Sequence, residues 1–369
     1  MPETLLEYIH HLQDKINQHP YSIEENFLHL PFDESIISRV KESISKSRAK
    51  PTSLKHIVAI GIGGSCWGAK AVYDALKSEK PLAEMHFLDQ IEPDIIEKLA
   101  LKLQNCSTDQ VAIINISKSG TTAETAINHK LLRESLKNKT FPELFIRGES
   151  ATNNSTQKEE SVLTLPDKVG GRFSVFSSVG LLPLELAGVD TKSLLEGARQ
   201  ATKEIFSNPQ KITQRVLSIF EAYQQEKSVY NIFIFSKELI SLAEWQKQLL
   251  GESLGKDEKG LLPMISQGSR DLHSLQQYFV GGKLIVQHEI LAIKGKNLFQ
   301  DIIRNAIAET YQEENIPYRE TVLEQLDEKT LGNFMQTKFF ETLLLAHLME
   351  VNPFGQPDVE GYKKKLNNL

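Results

Sequence analysis

The stretch VAIINISKSGTTAETAINHKLLRESL, residues 111–136, decides how the first half of this chain folds. Val111 to Ile116 is a continuous apolar run, the signature of a strand buried on both faces. AETAINHKLLRESL has the spacing of a helix. Between them SKSGTT (117–122) sets hydroxyls, a lysine and a glycine at the C-terminal end of the strand, where the helix starts. Such a turn can cap the helix, or it can cradle a phosphate.

Outward from this unit the same texture repeats. HIVAI (56–60), EMHFL (84–88), ELFI (143–146) and SVLTL (161–165) are further strand candidates. Helical stretches lie at about 65–79, 93–104 and 121–137. The alternation predicts βαβ units and a mostly parallel sheet, an α/β fold. Right-handed crossovers then bring the loops after the strands to one edge of the sheet. A second set begins near 228: VYNIFIF (229–235) as strand, EWQKQLLGE as helix, KLIVQHE (283–289) as strand and 296–313 as helix. Residues 1–50 form an amphipathic helical segment, with Leu5, Ile9, Leu12 and Ile16 at helical spacing, and KPTS (50–53) ends it. The boundary between the two α/β halves falls near Gly188, with a helical connection over 191–225. From 330 the chain reads as helix, then a break at NPFGQP (352–357), then a last helix. The expected division is 1–50, 51–188, 189–330 and 331–369.

Composition limits the function classes. Lys+Arg is 42 and Asp+Glu 48, a net charge of −6, which gives no electrostatic reason for nucleic acid or an anionic membrane as partner. Cys66 and Cys106 are a single potential pair and no disulfide framework, so a reducing compartment is expected. The N-terminal MPETLLEYIHHLQDK lacks the pattern of a secretory signal, and no apolar run approaches the roughly 18 residues of a membrane span. These features together point to a soluble cytoplasmic protein.

HIVAI runs into GIGGSCWGAKAVYDAL (61–76), a second glycine-rich strand-to-helix turn. A dinucleotide fingerprint needs glycine at 66, where Cys66 stands, and the G-K-[ST] ending of a nucleotide-triphosphate loop is absent. The plain alternative is a tight turn with Ser65 as helix cap. Two such loops at the ends of neighbouring parallel strands favour a shared phosphate site. Hydroxyls of Ser117, Ser119, Thr121 or Thr122 and helix N–H groups satisfy phosphate oxygens there, with no metal needed.

At this point the motifs combine. GIGGS (61–65), SKSGTTAET (117–125), GGRFSVFSSVGLLPLELAG (170–188), GESLGK (251–256), SRDLHSLQQY (269–278) and NPFGQPDVEGYKKK (352–365) together resemble the glucose-6-phosphate isomerase family, in the family's order. The chain looks like its shorter bacterial form. Where the family usually has Asp-Leu-Gly after GIGGS, this chain has Cys66-Trp67-Gly68. The resemblance implies two sugar-isomerase (SIS) domains, each a sheet sandwiched by helices, over 51–188 and 189–330, and a dimer. It implies reversible conversion of glucose 6-phosphate to fructose 6-phosphate, without a cofactor.

An aldose–ketose isomerisation needs a base to move a proton between C1 and C2, a cation for the enediolate and a group to open the sugar ring. The resemblance puts the base at Glu252, the enediolate stabiliser at Arg172, and ring opening at His273 with Lys363. Taken alone these residues read as a helix-end glutamate, a surface ion pair, a structural histidine and a solvated lysine run. Glu124 matches a family glutamate that orients the histidine, which arrives from the partner subunit. Gln248, one helical turn before Glu252, and Gln356, seven residues before Lys363, are substrate contacts. Gly64, Ser65, Ser117, Ser119 and Thr122 hold the phosphate, with Lys118 in support. No zinc pattern such as H-E-x-x-H is present, so no metal is expected and chelators should leave activity intact. Two rivals stay open on sequence: a SIS-domain sensor that binds a sugar phosphate without converting it, and an isomerase of another hexose 6-phosphate such as mannose 6-phosphate.

Overall fold

The apolar runs of the first half become strands β1 (His56–Ile60), β2 (Glu84–Leu88), β3 (Val111–Ile116), β4 (Glu143–Gly148) and β5 (Val162–Leu165). The computed structural model describes residues 2–17, 21–47, 49, 51–79, 82–153 and 162–366. In it these five strands form one sheet in the order β2-β1-β3-β4-β5, every pair parallel. Central β3 is buried at every position, whereas edge β2 is exposed or half-buried at three of its five. A strand flanked on both sides and covered on both faces shows no apolar–polar alternation; in VAIINI the one polar residue, Asn115, is buried with its side chain hydrogen-bonded. The helices Pro93–Gln104 and Ala123–Leu136 cover one face. Leu99, Leu103, Leu132 and Leu136 meet Val58, Ile60 and Ile113 there in one buried cluster.

The second half builds β6 (Val229–Ile234), β7 (Leu262–Gln267), β8 (Val286–Ile293) and β9 (Tyr318–Leu323), in the order β7-β6-β8-β9 and again all parallel. The α/β expectation with two parallel sheets holds. Two strands were not expected: β7 and β9 lie at the edges, are largely half-exposed, and carry the mixed sequences LPMISQ and YRETVL. Pro263 sits in β7, an edge place that tolerates a missing N–H.

Strand β8 also differs from expectation, starting later than 283 and continuing to Ile293. It is buried throughout although it contains Gln287, His288 and Glu289. The carboxylate of Glu289 explains this. It accepts from Lys338 Nζ at 2.6 Å, Arg215 at 2.6 Å, Thr321 Oγ1 at 2.6 Å, Tyr230 OH at 3.0 Å and Gln246 at 2.5 Å. Glu341 completes the cluster, bonded to Arg215 at 2.6 Å and Lys338 at 3.0 Å.

Grouped by contacts, the chain forms two compact units that interleave in sequence. One is Met1–Lys15, Asp74–Glu79 and Glu196–Gly355, which contains the four-stranded sheet. The other is Ile16–Tyr73, Lys80–Leu195 and Gln356–Leu369, which contains the five-stranded sheet. In the first of these the long helix Glu328–Met349 packs on the helices Ile240–Leu254 and Gln210–Gln224. Among the described residues no helix is long and apolar enough to cross a membrane.

Candidate active site

In the five-stranded unit, GIGGS and SKSGTT follow the C-terminal ends of adjacent strands β1 and β3. Thr122 is the N-cap residue of the helix Ala123–Leu136, yet its side chain makes no capping bond. Its hydroxyl pairs with Ser117 Oγ at 3.0 Å instead, and Ser119 Oγ accepts from the Thr121 N–H and hydroxyl, each at 3.1 Å. The capping explanation of SKSGTT therefore fails. The hydroxyls face one another across a turn, at a helix N-terminus whose dipole favours an anion. Gly120 has φ +73°, a left-handed turn conformation that glycine adopts freely.

Ser65 does not cap either. It lies in a short 3-10 turn, Gly63–Ser65, ahead of the helix Trp67–Leu76. Gly64 shows what that turn is built for. A Cβ there would stand 2.2 Å from the Gly171 carbonyl carbon and 2.4 Å from the Arg172 nitrogen. The GIGGS turn is thus pressed backbone to backbone on the turn Gly171–Phe173 that carries Arg172. Arg172 is buried, its guanidinium 5.0 Å from the Phe173 ring centroid, so it is no surface ion pair. Lys118 ties the same region together: its Nζ donates to the Val169 carbonyl at 3.1 Å and to that of Asp167. Burial lowers its pKa, partly offset by Asp167. Glu124 lies half-buried in the first turn of the helix after SKSGTT.

Cys66, at the position that departs from the family pattern, is buried, and that burial pushes its thiol pKa up. It acts as a small core residue and not as a reactive thiol.

In the four-stranded unit, Glu252 is half-buried near the end of the helix Ile240–Leu254. Gln248, one turn earlier, donates from Nε2 to Glu252 Oε1 at 3.1 Å. The buried Oε1 of Gln248 accepts no hydrogen bond among the described residues. His273 is exposed on the turn after β7. Asp271 shapes that turn: its Oδ2 accepts the Gln267 N–H at 2.7 Å and its Oδ1 the Ser274 hydroxyl at 3.2 Å. Gln356 precedes the last helix, Pro357–Leu366, which contains Lys363; the side chain of Lys363 lies outside the described residues.

Two basic residues escaped the sequence reading. Lys256, the last residue of GESLGK, is buried and donates to the carbonyls of Asn352 at 2.6 Å, Phe354 at 2.7 Å and Gly355 at 3.2 Å. It anchors the NPFG segment that leads into Gln356. Arg147, at the end of β4, donates to Asn115 Oδ1 at 2.8 Å. Its Cδ lies 3.5 Å from where a Gly120 Cβ would stand, which puts a permanent cation against SKSGTT. Its signal was its position at a strand's C-terminal end beside β3.

A family model described as phosphoglucose isomerase matches residues 34–269. The chain belongs to the phosphoglucose isomerase family. Glucose-6-phosphate isomerase of Mycoplasmopsis synoviae is 34% identical over 351 residues, covering 84% of this chain and 81% of that one. The solved structure of a hypothetical protein from Thermus thermophilus has a TM-score of 0.84 at 26% identity, over 99% of this chain and 94% of that one. A glucose-6-phosphate isomerase structure from Chlamydia trachomatis shares the fold, with a TM-score of 0.77 at 22% identity over 90% of this chain and 72% of that one. The family match spans Gly64, Ser65, Ser117, Ser119, Thr122, Arg172, Gln248 and Glu252. It ends before His273, Gln356 and Lys363.

Proposed function

We propose that Glu252 carries the proton between C2 and C1, through an enediolate, in the interconversion of glucose 6-phosphate and fructose 6-phosphate that this glucose-6-phosphate isomerase catalyses. The observation that carries this choice of base is the Gln248–Glu252 pair. A half-buried carboxylate accepts from an amide donor one helical turn earlier, which fixes the direction in which it faces. Glu252 takes the proton from one carbon and returns it to the other, so the reaction is redox-neutral overall and consumes no co-reactant. Arg172 stabilises the enediolate oxygens, and its permanent charge keeps it from quenching the intermediate by protonation. His273 and Lys363 open the ring, Glu124 orients His273, and Gln248 and Gln356 contact the sugar. The exposure of His273 suits a residue offered to a second subunit, which supports a homodimer; the family's place in glycolysis supports the cytoplasm as its location.

The phosphate binds at Ser117, Ser119, Thr122 and Ser65, with Gly64 supplying backbone and Lys118 bracing the loop. Its binding energy positions C1 and C2 for proton transfer. The double variant Ser117→Ala/Thr122→Ala is expected to raise KM for fructose 6-phosphate about tenfold or more, since each bond to a charged ligand is worth about 1.5–3 kcal/mol, with a smaller loss of kcat as C1 and C2 are held less firmly. An unchanged KM would move the phosphate elsewhere.

The function is tested by following fructose 6-phosphate to glucose 6-phosphate in an NADP-linked coupled assay, in chelator-treated buffer. Turnover is expected. Sugar-phosphate binding without turnover would replace the isomerase by a sensor.

A further inference from the structure

The register of β1 on β2 assembles a cluster that the isomerase chemistry does not use. His56 opens β1, its register partner Glu84 opens β2, and His86 follows two residues along β2 on the same face as Glu84. His56 Nδ1 lies 3.3 Å from His86 Nε2 and 3.3 Å from Glu84 Oε2, and His86 Nε2 lies 3.8 Å from Glu84 Oε1. Three donors around a tetrahedral zinc ion, with bonds of about 2.0–2.1 Å, stand about 3.3–3.4 Å apart. We propose that His56, Glu84 and His86 bind a divalent transition-metal ion of the zinc class, at the N-terminal edge of the five-stranded sheet.

The donor set supports that class. Two imidazoles and one carboxylate suit Zn²⁺, Co²⁺ or Ni²⁺, whereas Mg²⁺ and Ca²⁺ prefer oxygen ligands alone. Both rings are half-buried, which holds their nitrogens in place beside Glu84. Glu84 is about half exposed, at 49%, which leaves a solvent approach for the ion and its remaining ligand. Lys102 Nζ also holds Glu84, at 2.8 Å from Oε1 and 2.6 Å from Oε2. Its ammonium competes with the ion for the carboxylate and repels it, which makes Lys102 a brake on affinity.

The site lies away from the phosphate loops. These follow the C-terminal ends of the strands, about 13 Å along β1 at about 3.3 Å per residue. An ion there stabilises the folded chain by binding it in preference to the unfolded one and takes no part in turnover.

The test uses tag-free protein and three readouts: Zn²⁺ titration by calorimetry, the visible spectrum of added Co²⁺, and the Zn²⁺-induced shift in Tm. One equivalent should bind, with the intense visible bands of four-coordinate Co²⁺ and a raised Tm. His86→Gln and Glu84→Gln should each weaken binding by about 10–100-fold or more, the cost of losing even an outer partner of a metal site. Lys102→Met keeps all three ligands and should bind more tightly than wild type. Glu84→Gln and Lys102→Met change half-exposed side chains, so the comparison does not depend on His86→Gln folding. Isomerase turnover should be the same with and without the ion. Absence of binding in the wild type, or binding that none of the three variants alters, would overturn the site.

Discussion

Glu252→Gln is expected to lower kcat by about 10²–10⁴-fold, the usual contribution of a positioned general base. It should leave the inhibition constant of inorganic phosphate unchanged. The substitution separates chemistry from binding. Glutamine has the shape of glutamate, and its carbonyl oxygen can still accept from Gln248 Nε2, which now lies 3.1 Å from Glu252 Oε1. The helix Ile240–Leu254 keeps its packing, since Leu249, Leu250 and Leu254 are untouched. Only the capacity to take a proton from carbon is removed. The hydroxyls of Ser117, Ser119 and Thr122, which we propose hold the phosphate, are unaffected. A second readout follows the proton itself: deuterium at C2 of glucose 6-phosphate should wash into solvent with the wild type and be retained with the variant. A kcat within tenfold of wild type would remove Glu252 from the role of base. A weakened phosphate inhibition constant would instead show that the residue shapes the binding site.

What sequence alone reveals here depends on how local the cause is. The helix Pro93–Gln104 and the strands β1, β2 and β3 match the sequence reading residue for residue, because each is set by its own apolar pattern. Edge strands β7 and β9 are half solvated and carry no such pattern, so only their pairing partners define them. The polar QHE of β8 is legible only once Lys338 and Arg215, far along the chain, are seen to reach Glu289. The site divides in the same way. SKSGTT, GIGGS and the four-residue spacing of Gln248 and Glu252 are local, and they were readable. The contact of Gly64 with Gly171 and Arg172, the hold of Lys256 on the NPFG carbonyls and the approach of Arg147 to Gly120 join distant segments. The pair His56 and His86, thirty residues apart, matches no sequence spacing for a metal and is created by strand register alone.

Lys338→Met is expected to destabilise the protein by about 3–5 kcal/mol, the cost of leaving a buried charge without its partner. Lys338 and Arg215 make the described ion pairs with Glu289 and Glu341, and the half-buried Arg319 adds a third cation that acts on both carboxylates from further off. Burial alone would raise the pKa of Glu289, but Lys338 and Arg215 outweigh it and hold the carboxyl below its usual range. A lowered folded pKa means a stabilising contribution that is complete above the unfolded value of about 4.3 and is lost as pH falls below it toward the folded value. Methionine fills much of the lysine volume, so the loss is electrostatic and not a cavity. With Lys338 gone, the folded pKa of Glu289 rises toward its unfolded value, and the charged form contributes less at neutral pH. Urea unfolding at pH 7, followed by circular dichroism and fluorescence together, measures the difference. The double variant Lys338→Met/Glu341→Leu removes the second carboxylate together with Lys338, and Arg215 still meets Glu289 at 2.6 Å. It should therefore be more stable than Lys338→Met alone. A single variant within about 1 kcal/mol of wild type, less than the loss of a buried partner costs, would show that Glu289 does not depend on Lys338 for its charge. A double variant less stable than the single one would show that packing, and not charge balance, holds this core together.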